Sequence, residues 1–404
     1  MFIDKLKKYF RLRDVPEPIK PEYSSPQSEY YGKVSERFST AQMILYVVLT
    51  VFVLISLIIN SEWIKYENFY YFFSDMGNYI TDSDSHIEEV VYKEDLHQSF
   101  SMYGNKFCVV GNSGLKLYTA SGRLIIDDCD ETQKLSNPKL SASDRYILMY
   151  DMGSGKYSIY NIFSKVFSGD MKAPVYGADV SDSGSFLLIT EDSVNLFDNQ
   201  FKPYVSYNIS NVVSASISAS GGEIAMISYS VEDKTVVTNV SAYRAYSDTP
   251  YIDNLKIMSS LPLYCEYTES NRLLVVCDNR VCAYDTMGRL ISDTELSGKS
   301  VCADVNQYGA ALVLKHNDGT YSLSVFDSNG KNIYDENLKE FAESVALYKS
   351  FVFIDHNTTI ERLDVRNGEL ISFENIDYNT VILPKNETEL FVCMPTRVKY
   401  INFD

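Results

Sequence analysis

From about residue 86 onward, the chain consists of short apolar runs separated by Gly, Asp, Asn and Ser, and it shows no long helical pattern. The apolar strands start at intervals of 38 to 40 residues, with one longer interval of 49. The eight starts are Phe107, Tyr146, Phe186, Ile224, Leu273, Ala311, Phe351 and Leu390. Repeats of about 40 residues with four short strands each are typical of propeller blades. The pattern predicts an all-β, eight-bladed β-propeller over residues 86–404, with seven blades and an irregular segment as the alternative.

Two turn signatures recur in register with these starts. Before the apolar strand comes a small residue, an aliphatic residue and a Ser- or Gly-containing turn, as in residues 178–184 and 303–309. After it comes a strand that ends in a Gly turn, as in residues 284–291 and 326–331. Glycine supplies the positive φ that such turns require, so both signatures favour hairpins within a blade.

The last repeat is one strand short, because the chain ends soon after the strand at residues 398–403. Residues 87–93 (IEEVVYK) lie just before the first repeat and have a strand-like pattern. We expect them to complete the eighth blade, since closing the ring removes open sheet edges.

Ahead of the propeller lies an apolar segment that predicts a membrane helix. The run from Met43 through Leu54 to Ile59 carries no charge and approaches the roughly 20 residues that cross a bilayer. Eight Lys or Arg residues precede it and only Lys65 follows closely, which places the N-terminus in the cytoplasm and the propeller outside.

The sequence thus divides into a cytoplasmic tail (1–40), a transmembrane helix (41–60), an aromatic juxtamembrane stalk (61–85) and an extracytoplasmic propeller (86–404). The start of the tail is either a short basic amphipathic helix on the inner leaflet or disordered, and the four prolines of residues 14–30 predict an extended linker. The stalk aromatics form either an interfacial belt or a docking helix.

Charge and cysteine content narrow the classes of function. Residues 1–40 hold eight Lys/Arg and six Asp/Glu, which leaves 28 and 48 in the other 364 residues, a net charge of −20. Such an acidic domain repels phosphate backbones, so we expect no nucleic-acid partner. The seven cysteines form no CxxC or CxxH pattern, so no metal site is expected, and Cys277 and Cys282 are the one pair close enough in sequence to suggest a disulfide.

With these repeats and turns the chain resembles the WD40-like and quinoprotein-like propeller superfamily. In layout it resembles the single-pass, membrane-anchored propellers of Gram-positive bacteria that have no assigned activity. Quinone-dependent members of the superfamily carry a tryptophan docking motif in each blade. The single tryptophan here, Trp63, precedes the propeller, so the resemblance implies no redox cofactor and we expect none of any kind.

Candidate binding residues come from two patterns, both expected on the face that holds the turns between second and third strands. Polar residues recur shortly after the strand starts, although turn preference alone also explains them. The longer interval in the fourth repeat is an insertion near residues 229–255, whose aromatic residues either bind a partner or pack on themselves. The candidates are Asp151, Asp278, His316 and His356 from the first pattern and Tyr243, Arg244, Tyr246 and Tyr251 from the second.

No P-loop, GxGxxG, HExxH or GxSxG motif is present, and no residue is singled out as catalytic. The sequence therefore predicts a binding or scaffolding module at the cell membrane for a protein or a cell-wall glycan. The alternatives are an extracytoplasmic enzyme acting on glycans, and a sensor that signals through the N-terminal tail.

Overall fold

The computed structural model describes residues 26–59 and 89–403, apart from residues 94, 96, 131, 133, 248 and 375–379. The chain divides into two compact units, residues 1–84 and 85–404. The amphipathic N-terminal helix, the aromatic stalk and the first part of the proline-rich linker, all predicted above, lie outside the described residues.

Among the described residues, the first unit contains the long helix α1 (Pro26–Ile59). It starts earlier than the predicted membrane segment and includes residues 26–30, which the proline content had assigned to an extended linker. The reason is that Pro26 is the last proline of that region and lies at the first helical position, where its fixed φ and missing N–H are tolerated. Within α1, residues Arg37–Ile55 have a mean hydropathy of 2.2 and are long and apolar enough to cross a membrane.

The second unit is a β-propeller of eight four-stranded antiparallel blades, as predicted. The strands of blades 1 to 4 are β2 (Ser99–Tyr103), β3 (Lys106–Gly111), β4 (Gly114–Tyr118) and β5 (Leu124–Cys129); β6 (Pro138–Ala142), β7 (Ile147–Asp151), β8 (Lys156–Tyr160) and β9 (Lys165–Asp170); β10 (Gly177–Val180), β11 (Phe186–Ile189), β12 (Val194–Phe197) and β13 (Pro203–Tyr207); and β14 (Val212–Ile217), β15 (Glu223–Glu232), β16 (Thr235–Arg244) and β17 (Pro250–Met258).

The strands of blades 5 to 8 are β18 (Pro262–Tyr267), β19 (Leu273–Cys277), β20 (Arg280–Tyr284) and β21 (Leu290–Glu295); β22 (Lys299–Asn306), β23 (Gly309–Lys315), β24 (Tyr321–Asp327) and β25 (Asn332–Leu338); β26 (Ser344–Tyr348), β27 (Phe351–Asp355), β28 (Thr359–Asp364) and β29 (Glu369–Glu374); and β30 (Val381–Pro384), β31 (Glu389–Cys393), β32 (Arg397–Asn402) and β1 (Glu89–Val91). The predicted strand starts all fall at or within one or two residues of the second strand of a blade. These second strands are buried because both of their faces lie between neighbouring blades.

The ring closes as the sequence predicted. The N-terminal strand β1 pairs with β32 as the outer strand of blade 8, with Glu89 opposite Lys399 and Val91 opposite Arg397. The hydroxyl of Tyr92, just after β1, donates to the carbonyl groups of Met394 and Arg397. The first and last strands of the domain therefore share one sheet.

The apolar core fills the wedges between blades. Between blades 2 and 3, for example, Tyr157 lies 5.7 Å from both Phe186 and Phe197, whose rings stack at 4.4 Å. Because each wedge is packed in this way, the blades form a rigid scaffold for the turns at their ends.

The turns lie on two opposite faces. The upper face carries the turns between second and third strands together with the links from blade to blade. The lower face carries the turns between first and second and between third and fourth strands. On the lower face Gly288 and Gly330 have φ of 76° and 70°, which confirms the positive φ expected of the second glycine signature.

Candidate functional site

The four polar candidates Asp151, Asp278, His316 and His356 lie on the upper face, at or just after the end of a second strand. Their side chains hold the link that leads into their own blade. Asp151 Oδ1 accepts the backbone N–H groups of Ser136 at 2.9 Å and Asn137 at 2.7 Å. Asp278 Oδ1 accepts the N–H of Leu261 at 2.8 Å.

The two histidines make equivalent contacts. His316 Nδ1 lies 3.2 Å from the carbonyl oxygen of Ser297, and His356 Nδ1 lies 3.0 Å from that of Phe341. The second ring nitrogen is also engaged, by the Ser322 hydroxyl in one case and by the Glu361 carboxylate in the other. These candidates therefore each stabilise the link into their own blade, in four separate blades. No hydrogen bond or ion pair among the described residues joins one of them to another.

The insertion in blade 4 lies partly on the other face from the one predicted. It lengthens β15 and β16 to 10 residues each and β17 to 9. The turn between β15 and β16, at Asp233 and Lys234, therefore projects from the upper face. Since β16 runs back from that turn, Tyr243 at its far end pairs with Pro250 at the lower face. A hairpin extension adds residues at its tip, and the aromatic residues that follow it in sequence return to the ordinary turn position.

At the lower face the four candidates of the insertion differ in burial. The Tyr243 ring packs 4.3 Å from that of Tyr207. The Tyr251 hydroxyl lies 2.7 Å from the hydroxyl of Tyr267, and burial raises the pKa of Tyr251 to about 12. Tyr246 is 60% exposed, and Arg244 reaches the carbonyl oxygen of Thr286 at 3.5 Å. Only Arg244 and Tyr246 are thus available to a partner.

A group of polar residues that was not anticipated lies on the first strands of the blades, which we call the inner strands. In five consecutive blades, from blade 2 to blade 6, the residue of the inner strand that pairs with the second or third residue of the second strand is polar. They are Ser141, Asp179, Ser216, Glu266 and Asp304. The sequence signal was present, because several of these residues occupy the middle of the recurring small–x–aliphatic triplet, but the triplet was interpreted only as a turn marker.

Hydrogen bonds from these residues connect one blade to the next. Asp179 Oδ1 accepts the Ser141 hydroxyl at 3.0 Å, and its Oδ2 accepts the N–H of Ile217 at 2.9 Å. The Ser216 hydroxyl accepts the N–H of Tyr267 in blade 5 at 3.4 Å, and it favours the ionised forms of the Asp179 and Glu266 carboxyl groups, whose pKa values it lowers. One polar network therefore joins the inner strands of blades 2 to 5.

Burial favours the protonated form of the carboxyl groups in this network. Burial raises the pKa of Asp179, and burial together with the negative charge of Asp179 raises the pKa of Glu266 well above its usual range. In blade 6, burial raises the pKa of Asp304 to about 6, although the N–H of Leu347, 2.7 Å away, favours the ionised form. In the part of the chain that the structure describes, no three His, Cys, Asp or Glu residues are placed to hold a metal ion.

Thiol chemistry adds nothing to this region. All seven cysteines are described and none forms a disulfide, so Cys277 and Cys282, which flank a short turn and could have paired, are both free. Both thiols are buried, and burial raises their pKa to about 11 and about 12. They are therefore protonated, inert core residues.

A polar cleft of about 480 Å³ opens between blades 1 and 2. Its carboxylate Asp128 lies 2.6 Å from the ammonium group of Lys165 and accepts the Tyr160 hydroxyl at 2.6 Å. The cleft also includes Asp151, whose carboxylate holds the link described above. Three of its charged groups, those of Asp128, Asp151 and Lys165, are thus occupied by contacts within the propeller.

The upper face of blades 3 to 6 exposes an apolar surface, which we call the upper apolar patch. Part of it comes from the first residues of the inner strands and part from the long hairpin of blade 4 and the link that follows it. Its members are Tyr176, Val213, Tyr229, Val231, Met258, Leu261, Tyr264 and Val301. Val231 is 65% exposed and Met258 53%, although both lie on a strongly acidic domain.

Comparison with known proteins identifies the family. Residues 78–403 match the profile of a family described as "Family of unknown function (DUF5711)". The chain belongs to this family. The matched range covers the whole propeller, so the DUF5711 region and the eight-bladed ring coincide. No functionally curated protein shows significant sequence similarity to the chain.

Solved structures share the fold of this DUF5711 propeller at low sequence identity. BamB from Moraxella catarrhalis is 12% identical with a TM-score of 0.51, and 79% of this chain covers 99% of BamB. The Dos1 propeller is 11% identical with a TM-score of 0.53, covering 79% of this chain and 94% of Dos1. A eukaryotic initiation factor is 13% identical with a TM-score of 0.51, covering 79% and 88%. These similarities show that the chain shares the β-propeller fold with these proteins.

Proposed function

We propose that this DUF5711 member is a membrane-anchored docking module whose upper apolar patch binds a protein partner. The observation that carries the proposal is the patch itself. Contiguous exposed apolar surface on a soluble domain marks interaction sites, whereas singly scattered apolar residues are normal. Eight exposed apolar residues lie on the upper face of these four neighbouring blades.

The geometry of blade 4 supports this assignment. The tip of the β15–β16 hairpin raises Tyr229 and Val231 above the upper face, and the packed blades below hold it in place. Protruding loops on a rigid scaffold commonly carry binding, because little conformational entropy is lost when the partner docks. The net charge of −20 beyond residue 40 favours a partner with apolar and basic residues at its surface.

Anchoring rests on α1. An apolar helix that precedes a propeller is compatible with single-pass membrane attachment. The excess of Lys and Arg before the span supports a cytoplasmic N-terminus and an extracytoplasmic propeller. On this topology the partner is a protein of the same membrane surface.

The test is partner capture by crosslinking in intact cells, compared across matched variants. Val231→Asp with Met258→Asp places charge in the patch, and we expect a roughly tenfold or greater loss of the captured partner, as for the loss of an interface hot spot. Met287→Asp with Leu370→Asp places the same charge on exposed apolar residues of the lower face and should leave capture unchanged.

A third variant, Arg244→Ala with Tyr246→Ala, tests the lower-face candidates without disturbing the packed Tyr243. Loss of capture in this variant alone would transfer the binding site to the lower face. Equal capture by all three variants, each with the wild-type melting temperature, would refute docking through either surface.

A further inference from the structure

The polar residues in the interior of the membrane segment lie on one face of α1. Between Ala41 and Ile55 the only polar side chains are those of Gln42, Tyr46 and Thr50. They are four residues apart, and residues at this spacing are neighbours on a helix surface. We call Gln42, Tyr46 and Thr50 the polar stripe. The apolar Leu49 and Val53 lie on the same face of the helix.

The polar stripe is only partly satisfied within the helix. Gln42 Nε2 donates to the Tyr46 hydroxyl at 3.3 Å, and the Thr50 hydroxyl donates to the carbonyl oxygen of Tyr46 at 2.8 Å. An amide side chain has two N–H donors and a carbonyl acceptor. Among the described residues, the second N–H and the oxygen of Gln42 and the proton of the Tyr46 hydroxyl have no partner.

Hydrocarbon supplies no hydrogen bonds, so polar groups at this depth find partners on another helix. The uncharged run extends to Ile59, so the predicted span 41–60 is centred near Thr50 and puts Tyr46 about 6 Å and Gln42 about 12 Å from the centre, at a rise of about 1.5 Å per residue. Both distances are smaller than the half-thickness of about 15 Å of the hydrocarbon core.

We propose that the polar stripe pairs with the same stripe of a second copy, so that two parallel membrane helices hold two propellers side by side. A second copy presents Gln42 at the same depth and in the same orientation. The carboxamide is self-complementary, because its oxygen accepts what the partner's N–H or Tyr46 hydroxyl donates. A two-fold axis along the stripe satisfies both copies at once, and Leu49 and Val53 pack at the same seam.

This inference rests on the anchoring part of the proposed function, and it adds a consequence. Two propellers tethered by one helix pair carry two upper apolar patches within one complex. A partner with two binding sites, or a partner that is itself dimeric, is then captured with higher apparent affinity than by a single propeller.

The experiment uses the full chain with a fluorescent donor or acceptor at its N-terminus, reconstituted in phosphatidylcholine vesicles at graded protein-to-lipid ratios. Wild type should show energy transfer that saturates as a dimer. Gln42→Leu with Thr50→Val should weaken association roughly tenfold. Gln42→Asn, which keeps the amide, should retain most of the transfer.

A transplant variant, Gln42→Ile with Ile44→Gln, serves as the matched control, because it keeps the composition but moves the amide to another face. It should lose association like the double variant. Dimerisation of the transplant at the wild-type level, or absence of energy transfer in the wild type at every ratio, would overturn the proposal. Resistance to carbonate extraction is measured for every variant, so failure of anchoring is distinguished from failure of pairing.

Discussion

Asp179, Glu266 and Asp304 illustrate at the residue scale how a propeller tolerates acids beside its central axis. Each carboxyl group lies on an inner strand and is half-buried among backbone and hydroxyl groups of neighbouring blades. Burial disfavours the ionised form of each group, and at Glu266 the negative charges of Asp179 and Asp304 add to this effect, so the groups retain protons at pH values where exposed carboxyls have lost them. The inner strands are therefore joined by a network whose charge depends on pH.

This network predicts that the propeller is more stable in mild acid. Because the folded-state pKa of Asp304 is raised from 3.8 to about 6, the folded chain binds more protons than the unfolded chain between those values. The contribution is full below about pH 4 and is lost as pH rises through about 6. Asp304→Asn should flatten this dependence and stabilise the fold above pH 7 by about 1–3 kcal/mol.

Thermal and urea unfolding between pH 4 and pH 8 measure the effect on the isolated propeller. Glu266→Gln should act in the same direction. Glu295→Gln, at a side chain that is 84% exposed, serves as the control and should leave the pH profile unchanged. A wild-type profile that instead rises steadily from pH 4 to pH 8, or variants that keep the wild-type slope, would contradict the assignment.

At the element scale, the turns between third and fourth strands are set by aspartate and glycine together. In blade 5, Asp285 Oδ1 accepts the N–H groups of Met287 and Arg289, both at 2.9 Å, while Gly288 takes the left-handed conformation between them. Asp327 and Gly330 repeat the arrangement in blade 6. The recurrence explains why this signature located the hairpins from sequence.

Substitution of two glycines measures the cost of backbone strain separately from the cost of a steric clash. Gly319 has φ of 86° with nothing near its missing Cβ, so Gly319→Ala should cost only the left-handed conformation, about 1 kcal/mol. Gly288 has φ of 76°, and a Cβ there would lie 2.6 Å from the carbonyl oxygen of Tyr251, so Gly288→Ala should cost about 2–4 kcal/mol. Urea unfolding of both variants gives the comparison; equal losses would show that the turn of blade 5 relaxes freely.

The same turns show what the sequence determines and what it leaves open. The repeat period and the glycine spacing were enough to predict eight blades and the closing strand. Both signals are visible in sequence because the burial of each second strand and the positive φ of each turn are local requirements. The face of Tyr243 was missed because a longer interval does not say where in a hairpin the extra residues lie. The inner network was missed because its members are about 40 residues apart and approach only when the ring has closed.

On the scale of the whole molecule, ring closure depends on a strand of three residues. Removing residues up to 95 deletes β1 and Tyr92, leaves β32 as an open edge and breaks the contact of Glu89 with Arg397 at 3.4 Å. Removing residues up to 85 leaves all of these in place. The shorter truncation should melt like the intact propeller, whereas the longer one should lose a large part of a stability of about 5–15 kcal/mol.

Differential scanning calorimetry of the two truncations measures this difference. A third protein, which lacks residues up to 85 and carries Tyr92→Phe, isolates the contribution of the hydroxyl that bonds to the carbonyls of Met394 and Arg397. Identical melting of the two truncations would show that the ring is held by blades 1 to 7 and does not need the closing strand.

The closing strand has a mechanical consequence for an anchored propeller. The chain passes from α1 to the propeller through β1, so tension between the membrane and a partner bound to blades 3 to 6 enters the ring through three residue pairs. Those three pairs lie at the edge of blade 8, whereas each of the other blades is built from four strands that are consecutive in sequence. With the proposed anchoring through α1, we therefore expect β1 to detach first under load, while the other blades and the bound partner stay in place. The propeller would then open at its tether before its binding surface is disturbed.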